Sequence, residues 1–517
     1  MLRFTLRRVF AARPSKFAAP LPDASAPSAP SAAAAGASGD ASPAQQGPRK
    51  MTRDGMAKLG ASLSRPDWKK EKLAPIARAA SSPSTTATSP EVTAFLEAHA
   101  IKVELSGGNS PLSLIESIDS SPFPEYLRHE WGKRGFTAPT AIQKVAWPIA
   151  LSGRHLIGLA QTGSGKTVSF LFPSFVHLTA QPPLKPGEGP LVLVLVPTRE
   201  LALQVEAEAR TYGRLAGVYS TAVYGGTSRL RQAADLKKGC EIVVATPGRL
   251  LDFLETGVTD LKRVSYLVID EADRMLDMGF EPQVKKIVSQ IRPDRQTLFW
   301  SATWSKAVEN LAHDLIGGEG GAGTAKVVVG GADAKGAGLK ANKDVEQTFE
   351  FMAESERSKH LLKMVKNMEK DKKLMVFCES KRGADALTRE LKYHDVTAAS
   401  LHGDKEQRER DRVLNEFRRS DFQVLVCTDV AQRGLDVKDV AYVVNFDLPN
   451  NAEDYVHRIG RTGRAGAKGK SVTYLDMSVL SNEKITLVKD LESVLKDAGQ
   501  VVPKEFELFR NFRSRRY

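Results

Sequence analysis

The stretch Ala160-Gln161-Thr162-Gly163-Ser164-Gly165-Lys166-Thr167 limits what this chain can fold into more than any other part of it. It follows one short apolar run, residues 155–159, and precedes a second, residues 168–172. This order predicts a strand, a tight glycine-rich loop and a helix. In such a loop the backbone N–H groups and the helix N-terminus attract phosphate, Lys166 reaches the outer phosphates, and Thr167 can hold Mg²⁺. Ala160 stands where the general pattern has its first glycine.

At 517 residues the chain is too long for one ordinary domain. Its hydrophobic content of 42% and charged content of 26% are globular values. Of the net charge of +13, residues 1–90 carry +9, from 14 Lys/Arg and 5 Asp/Glu, which leaves +4 for residues 91–517. The folded part is therefore no general polycation, and any affinity for nucleic acid must come from individually placed groups.

The three cysteines, Cys240, Cys378 and Cys427, are isolated from one another and lack Cys-x-x-Cys spacing. They predict neither a zinc site nor a disulfide framework, and we expect small buried residues. No apolar run approaches the roughly 18 residues that a membrane span needs.

Residues 1–20 combine four arginines and one lysine with Leu, Phe and Val, and the first acidic residue is Asp23. A basic segment of this kind is typical of a mitochondrial presequence, so we expect the mitochondrial matrix. An RNA-binding arm or a solvated tail, in the cytoplasm or nucleus, is the alternative. Residues 21–90 are rich in Ala, Ser and Pro and poor in aromatics, which predicts a disordered leader.

From Glu91 onward, short apolar runs alternate with helical stretches. The runs predicted as strands are residues 191–196, 220–223, 241–245, 266–269 and 296–300, then 345–351, 374–378, 397–401, 423–427, 442–446 and 471–475. Such alternation predicts an α/β fold with parallel sheets, in which ligands gather at the carboxyl ends of the strands. We predict two such domains, residues 91–329 and 342–495, joined by a flexible Gly/Ala-rich linker at residues 330–341.

The apolar run 266–269 ends in Asp270-Glu271-Ala272-Asp273, which places carboxylates at a strand tip. Asp270 there can hold Mg²⁺, and Glu271 can orient or activate a water for attack on the γ-phosphorus of a nucleotide. Because a phosphate loop precedes these carboxylates on the same sheet, we interpret Lys166, Asp270 and Glu271 as catalytic.

Asp270-Glu271-Ala272-Asp273 is also the signature of the DEAD-box ATP-dependent RNA helicases of superfamily 2, which this chain resembles from about residue 117 to residue 477. The resemblance implies two tandem RecA-like domains and an RNA-stimulated ATPase that uses ATP and Mg²⁺. With the basic N-terminal segment, it suggests a mitochondrial member of the family.

Three residues resemble the adenine-reading segment of the family: Phe136, Pro139 and Gln143. The family usually has an aromatic residue seventeen positions before Gly135, where this chain has Ile118, with Phe123 nearby. By the same resemblance, Asp436 contacts the ribose of ATP.

The segments that resemble the RNA contacts of the family each follow a predicted strand or begin a helix. They are Pro197, Thr198, Arg199, Gly225, Gly226, Thr246, Pro247, Gly248 and Arg249 in the first domain, and Ser380, Gly403, Gln407, Arg410 and Thr428 in the second. Backbone N–H groups, hydroxyls and arginines bind sugar-phosphate oxygens without reading bases, so we expect little sequence preference.

The resemblance also implies a link between the two domains. Arg461 and Arg464 are predicted arginine fingers, each of which stabilises charge on the transferring phosphoryl group and contributes on the order of 10³–10⁵ in rate. The alternative for this Arg/Gly run is a general basic RNA-binding loop. The residues assigned to interdomain coupling are Asp273, Ser301, Thr303 and His457, with the hydroxyls of Ser301 and Thr303 bonded to Asp273 or to the second domain.

Residues 496–517 interleave aromatics with arginines, which fits either an auxiliary RNA-binding tail or a helix packed on the second domain. We expect a monomer without a membrane span that acts on RNA or ribonucleoprotein in mitochondrial RNA metabolism or ribosome assembly. Two other functions stay open: an ATP-gated RNA clamp or assembly scaffold with little turnover, and a DNA helicase.

Overall fold

The structure is a computed structural model that describes residues 59–71, 73–77, 89–107, 112–160, 163–185, 187–316, 323–330, 341–429, 440–463, 468–476 and 481–510. Four predicted site residues lie outside these ranges: Gln161, Thr162, Asp436 and Arg464. The predicted presequence, residues 331–340 of the predicted linker and residues 511–517 of the tail also lie outside them.

Two sheets organise the described residues. The strands of the first are β1 (Ile101–Leu105), β2 (His155–Leu159), β3 (Val192–Leu195), β4 (Ser220–Val223), β5 (Ile242–Ala245), β6 (Tyr266–Ile269), β7 (Gln296–Ser301) and β8 (Thr324–Val329). The strands of the second are β9 (Val345–Phe351), β10 (Lys373–Phe377), β11 (Ala398–Leu401), β12 (Val424–Cys427), β13 (Val440–Asn445) and β14 (Gly469–Leu475).

Helices connect the strands and cover the sheets. Those of the first domain are α1 (Pro90–Ala98), α2 (Glu125–Lys133), α3 (Ala141–Leu151), α4 (Lys166–Ala180), α5 (Arg199–Gly213), α6 (Arg229–Lys238), α7 (Pro247–Glu255), α8 (Ala272–Asp277), α9 (Glu281–Val288) and α10 (Lys306–Ile316). Those of the second are α11 (Glu354–Asn367), α12 (Lys381–Tyr393), α13 (Gln407–Arg418), α14 (Ala452–Ile459), α15 (Asn482–Asp497) and α16 (Glu507–Arg510).

The order of the strands decides which loops meet at a sheet edge. The first sheet runs β1-β8-β2-β7-β6-β3-β5-β4 and the second β11-β12-β10-β13-β14-β9. Every pairing is parallel except β1 with β8, where Ile101 lies opposite Val329 in an antiparallel register. The carboxyl ends of the parallel strands in each sheet therefore share one edge, as the sequence predicted.

Burial explains why these runs are strands. Every residue of β3, β5 and β6 is buried, which fits parallel strands that are covered by helices on both faces. Strand β1 alternates between buried and exposed residues and adds an antiparallel edge that the sequence reading did not contain.

A segment before the first helix, residues 59–71 and 73–77, packs on the first domain. The N–H of Gly60 donates to Oε1 of Glu255 at 2.8 Å. The side-chain amide of Gln181 exchanges two hydrogen bonds with the backbone of Ala77, at 2.7 and 3.3 Å. Leu63 packs against the buried core between α7, α9 and the sheet. These hydrogen bonds and the packing of Leu63 hold the segment on the first domain. The predicted disordered leader therefore does not extend through these residues.

All three cysteines are buried, as the sequence predicted, and burial raises the pKa of each thiol. Among the helices in the described part of the chain, none combines the length and the apolar character needed to cross a bilayer.

Candidate functional site

The glycine-rich loop lies between β2 and α4, at the carboxyl edge of the first sheet. Gly163 and Gly165 adopt positive φ angles of 83° and 96°, which glycine tolerates and which turn the chain into the helix. Lys166, the first residue of α4, is buried, and its Nζ donates to the carbonyl oxygen of Ala160 at 2.9 Å. Its ammonium group is thus held inside the curve of the loop, where a phosphate oxygen would compete with that carbonyl.

Gln143 braces this loop from α3. Its Oε1 accepts from the N–H of Thr140 at 2.9 Å, and its Nε2 donates to the carbonyl oxygen of Gly165 at 3.1 Å. A Cβ atom at Gly165 would lie 2.6 Å from that Nε2, so only glycine fits beside the amide. The sequence assigned Gln143 to the adenine edge; here both ends of its amide are engaged by protein, and it organises the loop.

Neither Ile118, at the position where the family usually has an aromatic residue, nor the nearby Phe123 presents an exposed ring. Ile118 and Phe123 are both buried, and Phe123 packs edge-on against Trp147 with ring centroids 4.9 Å apart. Phe123 is therefore a core residue and has no face to offer to a base. Phe136 is 44% exposed and rests on Trp131, with centroids 4.8 Å apart. The predicted site residue Pro139 is buried beside this segment.

The acidic strand tip follows β6. Asp270 is 3% exposed, and its Oδ1 accepts from the N–H of Glu271 at 3.0 Å. Burial raises the pKa of Asp270 to about 6, although the Lys166 ammonium works in the opposite direction. Glu271 has a left-handed backbone with φ of 52°, a conformation that costs free energy in a residue with a side chain and that clusters at functional sites.

Asp270 and the hydroxyl of Thr167, in the first turn of α4, are hard oxygen donors of the type that Mg²⁺ prefers. A carboxylate that is costly to bury alone, next to a buried ammonium, is well suited to a cation and to phosphate oxygens together. The donor set therefore fits a nucleotide with its magnesium ion.

Asp273 ties the strand tip to the end of β7. Its Oδ2 accepts from the N–H of Ala302 at 3.1 Å and from the N–H and hydroxyl of Thr303 at 3.0 and 3.1 Å. The predicted bond from Thr303 to Asp273 is thus present. The predicted bond from Ser301 is not, because its buried hydroxyl has no hydrogen-bond partner among the described residues.

The predicted finger Arg461 lies two residues after the end of α14 in the second domain. The Nε of Arg461 donates to the carbonyl oxygen of His457 at 3.2 Å, and both residues are buried. Arg458, between them, is held by Asp429 through two bonds of 2.7 and 2.6 Å and lies over the ring of Phe377. Arg458 therefore belongs to the core of the second domain. Of the two predicted fingers, the structure describes Arg461, while Arg464 lies outside the described residues.

The predicted RNA contacts of the first domain follow three neighbouring strands, β3, β5 and β4. Thr198 caps α5 by accepting from Leu201 N–H at 3.3 Å, and Arg249 is held over the start of α7 by the carbonyl oxygen of Thr227. The remaining members are Pro197 and Arg199 after β3, Gly225 and Gly226 after β4, and Thr246, Pro247 and Gly248 after β5. The topology thus gathers them at one edge of the sheet.

The second sheet repeats this arrangement with β10, β12 and β11. Ser380 follows β10 and caps α12 by accepting from the N–H of Gly383 at 3.0 Å. Thr428 directly follows β12, and Gly403 follows β11 closely and is exposed. Gln407 begins α13, on which Arg410 also lies. The fold therefore brings together every predicted RNA-binding position that the structure describes, in one row on each domain.

Two ion pairs join these rows. Arg199 on α5 pairs with Asp411 on α13 at 2.7 Å, and Arg410 on α13 pairs with Glu200 on α5 at 2.9 Å. Two of the three predicted RNA-binding arginines, Arg199 and Arg410, thus contact a carboxylate of the opposite domain, while Arg249 contacts Thr227 and Asp252 of its own domain. The sequence reading missed Glu200 and Asp411, although each directly neighbours one of those arginines in the sequence.

A further interdomain contact was also missed. Arg274, directly after the acidic signature, reaches α14 and pairs with Asp454 at 2.6 Å, and its guanidinium also contacts Nδ1 of His457. The signal available in the sequence was a basic residue placed against a run of carboxylates. His457 is therefore at the domain interface, as predicted, and Arg274 is its partner.

Comparison with protein-family models agrees with the two-domain organisation. Residues 140–311 match the DEAD/DEAH box helicase model, and residues 356–466 match the helicase conserved C-terminal domain model. Together these matches cover more than half of the chain.

Similar proteins are ATP-dependent RNA helicases. The chain is 47% identical over 463 residues to "ATP-dependent RNA helicase DBP2" of Chaetomium thermophilum, covering 88% of this chain and 80% of that protein. It is 48% identical over 418 residues to "DEAD-box ATP-dependent RNA helicase 20" of Arabidopsis thaliana, covering 81% of this chain and 80% of the relative.

Solved structures resemble it as well. S. cerevisiae Dbp5 bound to RNA and ADP BeF3 superposes with a TM-score of 0.63 at 26% identity, covering 75% of this chain and 95% of that one. Mss116p bound to ssRNA and AMP-PNP gives a TM-score of 0.63 at 25% identity, covering 78% of this chain and 91% of that one.

Proposed function

This chain belongs to the DEAD-box family of ATP-dependent RNA helicases, and on that premise we propose that it hydrolyses ATP to bind, locally unwind or remodel RNA or RNA–protein complexes. The observation that carries the proposal is the pair of rows described above. Three neighbouring strands in each sheet present backbone-binding groups at one edge, and the ion pairs Arg199–Asp411 and Arg410–Glu200 join the two edges. One strand of RNA laid along both rows would be held by its phosphates.

The ATP-binding groups belong to the first domain. We assign Lys166 to the outer phosphates, Glu271 to the orientation of the attacking water, and Thr167 with Asp270 to Mg²⁺. When bound, Mg²⁺ neutralises charge on the phosphates. Gln143 holds the loop in the shape that receives them, since it fixes the carbonyl of Gly165.

The second domain completes the site. Arg461 is 7% exposed and follows α14, the helix that Arg274 contacts through Asp454 and His457, and closure of the two domains would bring its guanidinium to the phosphates. ATP and RNA each contact both domains in this scheme, so the two ligands favour closure together, by population shift. Hydrolysis and release of phosphate would reopen the clamp.

The test is ATP hydrolysis by the full chain, with single-stranded RNA, double-stranded RNA or matched DNA. We expect strong stimulation by RNA and little by DNA, and an affinity for single-stranded RNA that falls with salt by about 0.7 in the logarithmic slope per phosphate contact. Tight ATP-dependent RNA binding with negligible turnover would instead identify a clamp or scaffold. Equal stimulation by DNA would identify a DNA helicase.

We further propose that the protein acts in the mitochondrial matrix, on the RNA or ribosomes made there. The support is the composition of residues 1–20, which are basic and free of acids. Residues 1–58 fused to a fluorescent protein should direct it to mitochondria, and replacement of the four arginines in residues 1–20 by glutamine should release it to the cytosol. A fusion that stays cytosolic or nuclear would contradict the proposal.

A further inference from the structure

Arg274 of the first domain contacts α14, the helix that precedes the predicted finger Arg461. It is 3% exposed, although it is charged and directly follows the acidic signature. Its Nη1 donates to Oδ1 of Asp454 at 2.6 Å and to Oδ2 of Asp277 at 3.1 Å, and its Nη2 contacts Nδ1 of His457. Because a guanidinium can only donate, Nδ1 of His457 must accept, which fixes the neutral imidazole with its proton on Nε2.

The backbone of Arg274 is hydrogen-bonded within the first domain, beside the predicted hydrolytic residues Asp270 and Glu271. Its N–H donates to Oδ1 of Asp273 at 2.9 Å, while Oδ2 of the same carboxylate accepts from Thr303 and Ala302 after β7. The start of α8 is therefore tied to two strand ends of the first sheet. A displacement of either strand tip would move the base of the Arg274 side chain.

On the other side of the interface, the contacts of Arg274 lead to Arg461 in one step. His457, which Arg274 contacts through Nδ1, accepts from Nε of Arg461 through its carbonyl oxygen at 3.2 Å. Asp454 is anchored at the first turn of α14, where its N–H donates to Oδ1 of Asn451 at 2.7 Å. Arg274 thus contacts α14 at two positions, Asp454 and His457, and His457 lies four residues before Arg461.

The charges around Arg274 explain why a guanidinium stands here. Asp273 and Asp277 from α8, with Glu453 and Asp454 from α14, surround it, and burial with the charges of Asp273 and Asp277 raises the pKa of Glu453 to about 7. A buried cation offsets the repulsion between these carboxylates. The planar fork of arginine can bond a carboxylate and an imidazole at the same time, which the single ammonium of lysine cannot do in the same geometry.

We propose that Arg274 is a positioning residue that sets the finger Arg461 in place when the two domains are together. Its side chain contacts Asp454 and His457 of α14. Its backbone is bonded to Asp273, next to the strand tip that carries Asp270 and Glu271. This inference rests on the proposed function, in which Arg461 acts on the phosphates. It assigns Arg274 no contact with ATP.

The test uses the full chain with RNA and compares Arg274→Gln, Asp454→Asn, the double variant and Arg274→Lys. We expect kcat of RNA-stimulated ATP hydrolysis to fall on the order of 10²-fold in each single Gln or Asn variant, with the KM for ATP changed by less than about threefold. The double variant should lose no more than either single one, because both remove the same contact across the interface. Arg274→Lys should recover part of kcat.

A matched control is Arg292→Gln. Arg292 is equally buried and forms a two-bond ion pair with Asp294 at 2.6 and 2.8 Å, but both residues lie within the first domain. This variant should lower the melting temperature and leave kcat near the wild-type value. It therefore separates loss of a buried ion pair from loss of the interdomain hold.

Three results would overturn the inference while the wild type still hydrolyses ATP. They are an unchanged kcat in Arg274→Gln, additive losses in the double variant, or a raised KM with normal kcat, which would make Arg274 a structural support of the ATP loop. Absence of RNA-stimulated turnover in the wild type would instead contradict the proposed function itself. Because Asp454 lies in the other domain, its variant keeps the test decisive if Arg274→Gln fails to fold.

Discussion

The side-chain amide of Gln143 donates to the carbonyl oxygen of Gly165 at 3.1 Å while its oxygen caps the helix on which it lies. Gln143→Glu keeps the oxygen that accepts from Thr140 but loses the donor to Gly165. We expect the variant to lower the melting temperature slightly and to raise the Kd for ATP about tenfold, because the loop is no longer held in its binding shape. Isothermal titration with ATP checks this. An unchanged affinity would show that the loop holds its shape without the brace.

Glu271 is the predicted water-orienting residue, and its carboxylate is separable from its backbone role. Glu271→Gln preserves size and the left-handed backbone but removes the negative charge. We expect RNA-stimulated turnover to fall by at least about 10²-fold, while ATP and RNA binding stay within about threefold of wild type. Single-turnover hydrolysis with parallel binding titrations measures both. Turnover at the wild-type rate would contradict the mechanism.

The buried carboxylate of Asp270 should lower the free energy of unfolding of the nucleotide-free protein at neutral pH. Its pKa is raised from 3.8 to about 6, so the folded state binds the proton more tightly than the unfolded state does, and stability falls as pH rises from about 4 to about 6. Above that range the buried charge costs about 3 kcal/mol. Asp270→Asn should therefore be more stable at pH 7.5 without Mg²⁺, inactive, and no more stable than wild type near pH 4.

Urea unfolding of the full chain measures that difference, with Asp371→Asn of the second domain as a surface control. The Asp371 side chain is 74% exposed, so its replacement should not change stability in the same way. A destabilised Asp270→Asn at pH 7.5 would mean that the Lys166 ammonium outweighs the burial of the carboxylate.

The pair Glu200–Arg410 can be tested by exchange of charge. Dyes attached through Leu230→Cys and Tyr393→Cys, at positions that are 82% and 84% exposed on opposite domains, report closure by energy transfer, since the native cysteines are buried. Glu200→Arg should lower the closed fraction with ATP and RNA about threefold or more. Because Arg410 is also a predicted RNA contact, the exchange Glu200→Arg with Arg410→Glu should restore closure when RNA is raised to saturate each variant.

The matching control for the exchange is Arg412→Glu, because Arg412 pairs only loosely with Glu416, at 3.7 Å, on the exposed side of α13. Its effect on closure should be small. If the exchanged pair closed no better than Glu200→Arg alone, the two side chains would not act on each other.

The segment before α1 depends on Glu255, which accepts from Gly60 N–H and from the Ser62 hydroxyl at 2.8 and 2.9 Å. Glu255→Ala removes both bonds. We expect trypsin to cut after Lys69 about tenfold faster, because the segment opens more often. Asp235→Ala, on α6, serves as the control. Unchanged cleavage would place the anchor elsewhere, at Gln181.

Much of the fold could be predicted because its strongest signals are local. Buried parallel strands such as β3 and β6 are unbroken apolar runs, and the loop before Lys166 has a composition that few structures other than a phosphate site require. The antiparallel strand β1 was missed, since Ile101–Leu105 mixes two charged residues into an edge position. Leu63 gave no signal, because one apolar residue in a polar tract has no periodicity.

The interdomain partners could not be predicted for a different reason. Arg274 and Asp454 are far apart in sequence and lie on helices of separate domains, so their contact depends on how the two domains meet. The contact of Gln143 with Gly165, within the first domain, could not be predicted either, because its partner is a backbone carbonyl, which every residue carries. Sequence patterns predict the groups assigned to ligands, but they do not predict the groups that hold those side chains in place.

The order of charges on α13 has one more consequence. Residues 409–412 read Glu-Arg-Asp-Arg, and the middle two, Arg410 and Asp411, pair with Glu200 and Arg199, which have opposite signs in adjacent positions. A slip of one residue in either direction would bring arginine against arginine and carboxylate against carboxylate. The order of charges therefore selects one alignment of the two domains. A misaligned encounter is repelled, and the correct alignment is stabilised by both ion pairs.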